Sequence, residues 1–225
     1  MGKIIIFIII ILLFLVGSYF LFFKKEKTQP EESKIMPDLS NNPEKSPAAT
    51  NGASKIAMII AFRDFRDEEY FVPRDIFEDA KAEIKVASSN LGTAQGADGG
   101  EVSVDIKLSD LDVSDFDALV FIGGPGALSY LDNSDSYKIT KDAISQNKLL
   151  AAICVSPAIL AKAGVLNGKK ATVWTSPLDK SAKKILEDNG AIFQDQDVVQ
   201  DGNIITGSGP SAAKKFANKI VDALR

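Results

Sequence analysis

The first hydrophobic stretch of this chain differs in kind from all later ones. Residues 4–23, IIIFIIIILLFLVGSYFLFF, form an uninterrupted run of twenty residues without a charge. At about 1.5 Å per helical residue, such a run spans the roughly 30 Å hydrocarbon core of a bilayer. No small-residue cleavage site of a signal peptide accompanies it. We therefore expect a permanent transmembrane anchor at 4–23, and we leave open which side of the membrane holds the rest of the chain.

A polar segment follows the apolar run. Residues 24–54 are rich in proline, serine, asparagine and charge, and they show neither helical nor strand periodicity. A segment of this composition cannot bury enough apolar surface to fold by itself. We expect residues 24–54 to be a flexible linker and residues 55–225 to form the folded domain.

In the third region, short apolar runs alternate with helical patterns. Short segments of six or seven residues that read as strands of a parallel sheet occur at 55–61, 83–89, 118–124, 149–154 and 169–175, and the first is a nearly continuous apolar run. Helical spacing occurs at 68–82, where Pro73 is expected in the first turn, and at 134–146, 157–164, 181–190 and 211–225. Hairpins or extra strands are expected within 93–111 and 191–207, the latter turning at Asp201-Gly202. This order predicts an α/β fold, with a mostly parallel sheet between helices on both faces and ligands at the carboxyl ends of the strands.

The amino-acid composition argues against several classes of catalytic and binding site. The chain contains no histidine, so a Cys-His or Ser-His catalytic arrangement within it is excluded, and the usual ligands of a zinc site are missing. The single cysteine cannot form an internal disulfide. The net charge is −4 and the folded part has no long basic run, so nucleic acid is not an expected partner. We expect no metal and no cofactor.

Cys154 follows the apolar run LLAAI and precedes a helix start, with Ser156 expected as its cap and Pro157 as its first residue. A cysteine in such a strand-to-helix turn resembles a nucleophile elbow, where the helix N-terminus and backbone N–H groups favour the thiolate. The alternative is a buried thiol that acts only as a small hydrophobic side chain. The pattern weighs these two interpretations equally.

Two other predicted strand ends carry candidate groups. Gly123 and Gly124 follow a buried strand, where their N–H groups either face an anion or simply form a tight turn. The acidic cluster Asp67, Glu68 and Glu69 lies at a helix start, where carboxylates are favoured as solvated caps. One of the three is instead a candidate for a desolvated carboxyl that holds a proton near neutral pH. The pattern alone does not say which.

Four segments together resemble the ThiJ/PfpI superfamily over residues 55–225. They are AAICVSPAILAKAGVLNGKKATVW, FIGGPG, DEEYFVPRDIFEDA and DGNIITGSGPSAAKKFANKIVDAL. The resemblance implies a flavodoxin-like three-layer sandwich, commonly dimeric, with Cys154 at the nucleophile elbow and Glu69, four residues before Pro73, as its acidic partner. It also implies that the backbone amides of Gly123 and Gly124 line the pocket. In the family this glutamate is often protonated and hydrogen-bonds the sulfur, which stabilises a thiolate and an oxidised sulfinate.

The sequence departs from the family pattern at two positions. PfpI-type proteases have histidine directly after the cysteine, and this chain has Val155. A second family histidine is replaced near Trp174, which we interpret as a core or pocket-wall aromatic. Protease activity through an in-chain Cys-His pair is therefore excluded.

Three functions remain after this exclusion. In the first, a glyoxalase or deglycase, the Cys154 thiolate adds to a small carbonyl substrate, Glu69 shuttles the proton, and amides near Gly124 and Val155 hold the oxyanion. In the second, a redox sensor, an oxidant converts Cys154 to a sulfenate or sulfinate. The third is a binding domain with an inert cysteine. The expected partners are a small carbonyl substrate or oxidant, the membrane through residues 4–23, and a second copy in a homodimer.

Overall fold

The computed structural model of the protein describes residues 52–225. The predicted anchor, 4–23, and residues 24–51 of the predicted linker lie outside this range. Among the helices of residues 52–225, none has both the length and the apolar character needed to cross a membrane.

The described residues form one seven-stranded sheet and two small sheets. The strands are β1 (Lys55–Ile59), β2 (Arg63–Phe65), β3 (Glu83–Ser88), β4 (Gly92–Gly96), β5 (Glu101–Val104), β6 (Ile106–Lys107), β7 (Ala118–Phe121), β8 (Leu149–Ile153), β9 (Lys170–Ala171), β10 (Ile192–Phe193), β11 (Val198–Asp201) and β12 (Ile204–Gly207). The order in the large sheet is β11-β12-β8-β7-β1-β3-β6. All its pairs are parallel except β11 with β12. The predicted α/β architecture with a mostly parallel sheet is confirmed.

Helices cover both faces of this sheet. They are α1 (Asp67–Asp79), α2 (Ala127–Tyr130), α3 (Ser134–Ser145), α4 (Pro157–Lys162), α5 (Ser181–Asp188) and α6 (Ala213–Ala223). On one face, Ile56 and Met58 of β1 belong to the same apolar cluster as residues of α1 and α6. On the other face, Ala57 and Ile59 belong to a cluster with residues of α3, α4 and α5. Because alternate strand residues enter both cores, the strands are continuously apolar.

A small sheet of β2, β4 and β5 packs beside the start of α1. β4 and β5 pair antiparallel, as the turn-rich segment 93–111 predicted, and β2 pairs with β4. The Asp67 carboxylate accepts hydrogen bonds from the backbone N–H groups of Asp98 (2.8 Å) and Gly100 (2.6 Å) at the hairpin tip. These bonds fix the tip against the first turn of α1.

Two predicted elements differ from the structure. The expected strand 169–175 is reduced to β9, which pairs only with β10 in a separate sheet. Beyond β9, Thr172 N–H donates to the Thr206 hydroxyl at 2.9 Å, and Trp174 N–H donates to the Cys154 carbonyl at 2.7 Å, so no regular ladder forms. The antiparallel turn at Asp201-Gly202 is confirmed, with Gly202 at φ +60°.

The expectation that Pro73 lies in the first turn of its helix is wrong. The helix begins at Asp67, which places Pro73 inside it, in the second turn. Proline has no N–H, so the helical bond to the carbonyl of Glu69, four residues earlier, is absent. The helix tolerates this loss because the buried face of α1 packs against the sheet and α6.

Candidate active site

Cys154 lies in a strained turn at the carboxyl end of β8. Its φ is +64°, in the left-handed region that a non-glycine residue rarely adopts. Its N–H donates to the Gly207 carbonyl at 2.9 Å, and its carbonyl accepts the Trp174 N–H. With Pro157 as the first residue of α4, the predicted strand-to-helix elbow is present. Backbone bonds on both sides hold the thiol in place.

Ser156 occupies the N-cap position of α4 as expected, but the expectation that its side chain caps the helix is wrong. Its side chain makes no bond to the helix N–H groups and instead donates to the carbonyl of Ile122 at 2.8 Å. The hydroxyl is fully buried. It therefore joins the elbow to the end of β7, next to Gly123.

The structure separates the three acidic candidates at the start of α1. Asp67 binds the hairpin tip, Glu68 is exposed, and Glu69 is fully buried. A side chain built on Gly123 would place its Cβ 2.5 Å from Cys154 Cβ and 2.6 Å from Glu69 Oε2. The missing side chain of Gly123 thus lets the carboxyl group and the cysteine approach the same space.

Neither carboxyl oxygen of Glu69 has a partner at ordinary hydrogen-bond geometry among residues 52–225. Burial raises the pKa of Glu69 from 4.5 to about 7, and the nearby Cys154 thiol, the charge of Arg66 and the Gly123 N–H each oppose this increase. A carboxyl group with this pKa exchanges its proton near neutral pH. This is the property expected of a general acid or base.

Burial also raises the pKa of the Cys154 thiol well above its usual range. The Glu69 carboxylate adds to this increase, and the N–H groups of Gly124 and Val155 oppose it. The N–H groups of the elbow favour the thiolate as expected, but burial and the Glu69 carboxylate outweigh them, so the surroundings as a whole favour the thiol. The pair is better described as a thiol beside a carboxylate that can accept its proton.

The glycine pair allows two chain segments to approach closely. Gly124 has φ +119°, and a Cβ on it would lie 2.3 Å from the Arg66 nitrogen and 2.5 Å from the Asp64 carbonyl oxygen. Arg66 N–H donates to the Gly123 carbonyl at 3.0 Å. The glycine pair thereby brings the end of β7 against the start of α1. The Gly123 N–H lowers the pKa of Glu69, and the Gly124 N–H lowers the pKa of Cys154.

Trp174 is half-buried and packs in the same apolar cluster as Cys154. Its Cδ1 lies 3.2 Å from the position of a Cβ on Gly209. This placement agrees with its interpretation as a core or pocket-wall aromatic. Arg66 and the Ser156 bond to β7 were not predicted, because no pattern in the sequence distinguishes them from surface or capping residues.

Other polar features of the described residues lie apart from Cys154. Within residues 52–225, no group of three or more histidine, cysteine or acidic side chains is placed to hold a metal ion. A cleft of about 650 Å³ beside β11 is lined by polar side chains that include Lys170, Gln194 and Lys219, and none of the residues around Cys154 lines it. The chemistry therefore concentrates at the elbow.

Comparison with known proteins gives consistent matches. Residues 54–223 match the model of the DJ-1/PfpI family. An uncharacterized protein of Methanocaldococcus jannaschii is 38% identical over 83% of this chain and 89% of its own length. A deglycase of Thermococcus kodakarensis is 32% identical over 75% of this chain and 98% of its own. The crystal structure of a ThiJ/PfpI domain protein from Brachyspira murdochii superposes with a TM-score of 0.72, at 33% identity, over 77% of this chain and 98% of that one.

Proposed function

Because the chain belongs to the DJ-1/PfpI family, we propose that it is a cysteine-dependent enzyme acting on small reactive carbonyl compounds, of the glyoxalase or deglycase type. Several relatives that cover three quarters of the chain are named deglycases, among them proteins of Thermococcus and Pyrococcus. Those names support the reaction class for this chain and leave its substrate to be determined.

One observation carries the proposal. A cysteine held at φ +64° shares a buried space with the Glu69 carboxyl group, which the Cys154 thiol and the Gly123 N–H approach without forming hydrogen bonds of ordinary geometry. A buried carboxyl with such incomplete pairing is costly, so its retention beside a strained thiol favours a chemical role over a structural one.

The proposed reaction begins with proton transfer within the pair. The Glu69 carboxylate accepts the Cys154 thiol proton as Sγ bonds to the aldehyde carbon, and the carbonyl π bond breaks. The developing oxyanion is stabilised by the N–H groups of Gly124 and Val155, and then receives the proton from Glu69. The product of this step is a hemithioacetal.

The second half of the reaction moves two protons. The Glu69 carboxylate removes the hydrogen on the former aldehyde carbon and returns it to the neighbouring keto carbon, while the hydroxyl proton on the former aldehyde carbon passes to the keto oxygen, which leaves a thioester on Cys154. Water hydrolyses the thioester and restores the thiol. The sum, a 2-oxoaldehyde plus water giving a 2-hydroxy acid, balances without an external oxidant or reductant. A base with a pKa near 7 suffices, so the absence of histidine is no obstacle.

The direct test measures conversion of methylglyoxal to lactate by the wild-type protein and by Cys154→Ser, Glu69→Gln and Glu68→Gln. We expect no turnover with Cys154→Ser and a loss of roughly 10²–10⁴-fold with Glu69→Gln, the usual contribution of a general base. Glu68→Gln, which changes an exposed neighbouring carboxylate, should retain wild-type activity. Full activity of Glu69→Gln, or an inert wild-type protein, would contradict the proposal.

A second candidate, the redox sensor, is supported by the same amide groups. The N–H groups of Gly124 and Val155 act on Sγ, where they would also stabilise the oxygens of a sulfinate. An inert wild-type protein that gains two oxygen atoms on Cys154 under mild peroxide would favour this function. An inert protein whose Cys154 reacts with neither peroxide nor alkylating probes would leave only a binding role.

We propose two further properties of the protein, a homodimeric state and attachment to a membrane. The family resemblance supports a homodimer, which light scattering after size-exclusion chromatography would detect as twice the mass of the chain. The apolar run at 4–23 supports membrane attachment, which fractionation of cells with and without that segment would test.

A further inference from the structure

Arg66 connects two parts of the candidate site, the end of β7 and the start of α1. It directly precedes α1, its backbone N–H donates to the Gly123 carbonyl at 3.0 Å, and its carbonyl accepts the N–H of Glu69 at 3.1 Å. Its positive charge acts on the Glu69 carboxyl. The residue is therefore a partly exposed cation whose charge acts on Glu69.

The guanidinium of Arg66 uses only one of its nitrogens in hydrogen bonds within residues 52–225. Its Nη1 contacts both carboxylate oxygens of Asp98, at 3.1 and 3.3 Å, while Nε and Nη2 make no hydrogen bond within residues 52–225. About one third of the side chain is exposed, and Asp98 is more than half exposed. Two donor positions are thus left to bind a second anion from solvent, in the forked geometry that suits a carboxylate.

The acidic groups around Arg66 make its free hydrogen-bond donors important for the binding of an anion. Glu69 is ionised in the form that accepts the thiol proton, Glu68 and Asp64 are exposed, and Asp67 is already bound to the hairpin tip. An anionic substrate entering beside these carboxylates is repelled unless a cation compensates. Arg66 is placed to supply that compensation next to Glu69.

We propose that Arg66 determines substrate specificity by binding an anionic group, so that the preferred substrates are 2-oxoaldehydes that carry a carboxylate. The carboxylate binds the free donors of Arg66 while the aldehyde carbon reaches Cys154 Sγ. That the bound anion is a substrate rests on the proposed function. The preference of the site for anions is a separate property that can be measured without turnover.

The first experiment uses two alkylating reagents of nearly equal size, iodoacetate and iodoacetamide. Both alkylate Sγ through their CH2 carbon with loss of iodide and of the thiol proton, and only iodoacetate is an anion. We expect the ratio of their rates at Cys154, iodoacetate over iodoacetamide, to fall about tenfold in Arg66→Gln relative to wild type. Asp98→Asn, which releases the guanidinium from its present partner, should raise the ratio.

Arg63→Gln is the matched control. Arg63 is an exposed arginine of β2 whose side chain binds Gln95, and its removal changes the net charge by the same amount. An equal fall of the ratio in Arg63→Gln, or an unchanged ratio in Arg66→Gln, overturns the proposal. The iodoacetamide rate of each variant reports whether the thiol and the fold are intact.

The second experiment compares 4,5-dioxopentanoate with its neutral primary amide as substrates. We expect Arg66→Gln to raise KM for the anion by about tenfold with little change in kcat, and to leave both constants for the amide nearly unchanged. If the wild-type protein converts neither these compounds nor methylglyoxal, the proposed function fails, and the alkylation ratio still decides whether Arg66 selects anions.

Discussion

The carboxyl group of Glu69 illustrates how surroundings decide the role of a side chain. Asp67, Glu68 and Glu69 are consecutive, yet one binds backbone N–H groups, one faces solvent, and one is fully buried. The surroundings of Glu69 come from Gly123 and Cys154, which are distant in sequence. Periodicity therefore could not choose among the three acids, whereas the family resemblance selected Glu69 through its spacing to Pro73.

The raised pKa of Glu69 makes stability depend on pH. Its pKa is 4.5 when unperturbed and about 7 in the folded protein, so between these values the folded state holds a proton that the unfolded state has lost. The wild-type protein therefore loses stability as pH rises from 4.5 to 7, by about 3 kcal/mol in total. Glu69→Gln cannot titrate and should lack this loss. Urea unfolding at pH 4.5 and pH 8 measures it, and equal pH dependence in both proteins would contradict the burial argument.

The same titration predicts the pH dependence of catalysis. A carboxylate that accepts the thiol proton must be ionised, so kcat/KM for methylglyoxal should rise with pH and level off above about 7, the pKa of Glu69. The pH profile of kcat/KM between pH 5 and 9 tests this. Glu68→Gln should keep the inflection, because Glu68 has only a minor influence on Glu69. A profile that falls through pH 7 would show that the protonated carboxyl is the active form.

At the scale of the elements, Ser156 connects the elbow to β7. Its buried hydroxyl donates to Ile122, whereas the buried hydroxyl of Ser136 in α3 has no hydrogen-bond partner within residues 52–225. Ser156→Ala leaves a buried carbonyl unpaired and should lower the free energy of unfolding by about 1–3 kcal/mol, with a fall in kcat. Ser136→Ala, the matched control, removes an unsatisfied group and should be neutral or stabilising. Denaturant unfolding measures both, and equal losses would mean that the Ser156 bond contributes nothing specific.

The elements differ in how far the sequence determines them. Continuous apolar runs predicted β1, β7 and β8 because strands buried on both faces leave no other pattern. The run at 169–175 gave the same signal, but residues after β9 bond individually to Thr206 and Cys154 and form no ladder. Ser156 failed as a cap for a related reason, since the Ile122 carbonyl lies within reach of its hydroxyl. Local patterns do not reveal such distant partners.

At the scale of the molecule, the candidate site gathers residues from the carboxyl ends of neighbouring parallel strands. β1, β7, β8 and β12 run in the same direction, and Cys154, Gly123 and Gly207 follow or end three of them. This placement follows from the α/β alternation alone, which is why the sequence predicted the edge of the sheet correctly. Arg66 escaped prediction because its importance lies in the open donors of its guanidinium, a property of side-chain geometry.

The parallel arrangement also separates the site from the point where the chain enters the fold. Lys55 begins β1 at the amino edge of the sheet, where its N–H donates to Asp117 at 2.8 Å, and Cys154 lies at the opposite, carboxyl edge. Among the described residues, the chain therefore enters the sheet at the edge opposite the site. We expect a chain shortened to residues 52–225 to keep the wild-type rate of Cys154 alkylation by iodoacetamide and its dependence on Glu69. A marked change in either quantity would show that the preceding residues contribute to the site.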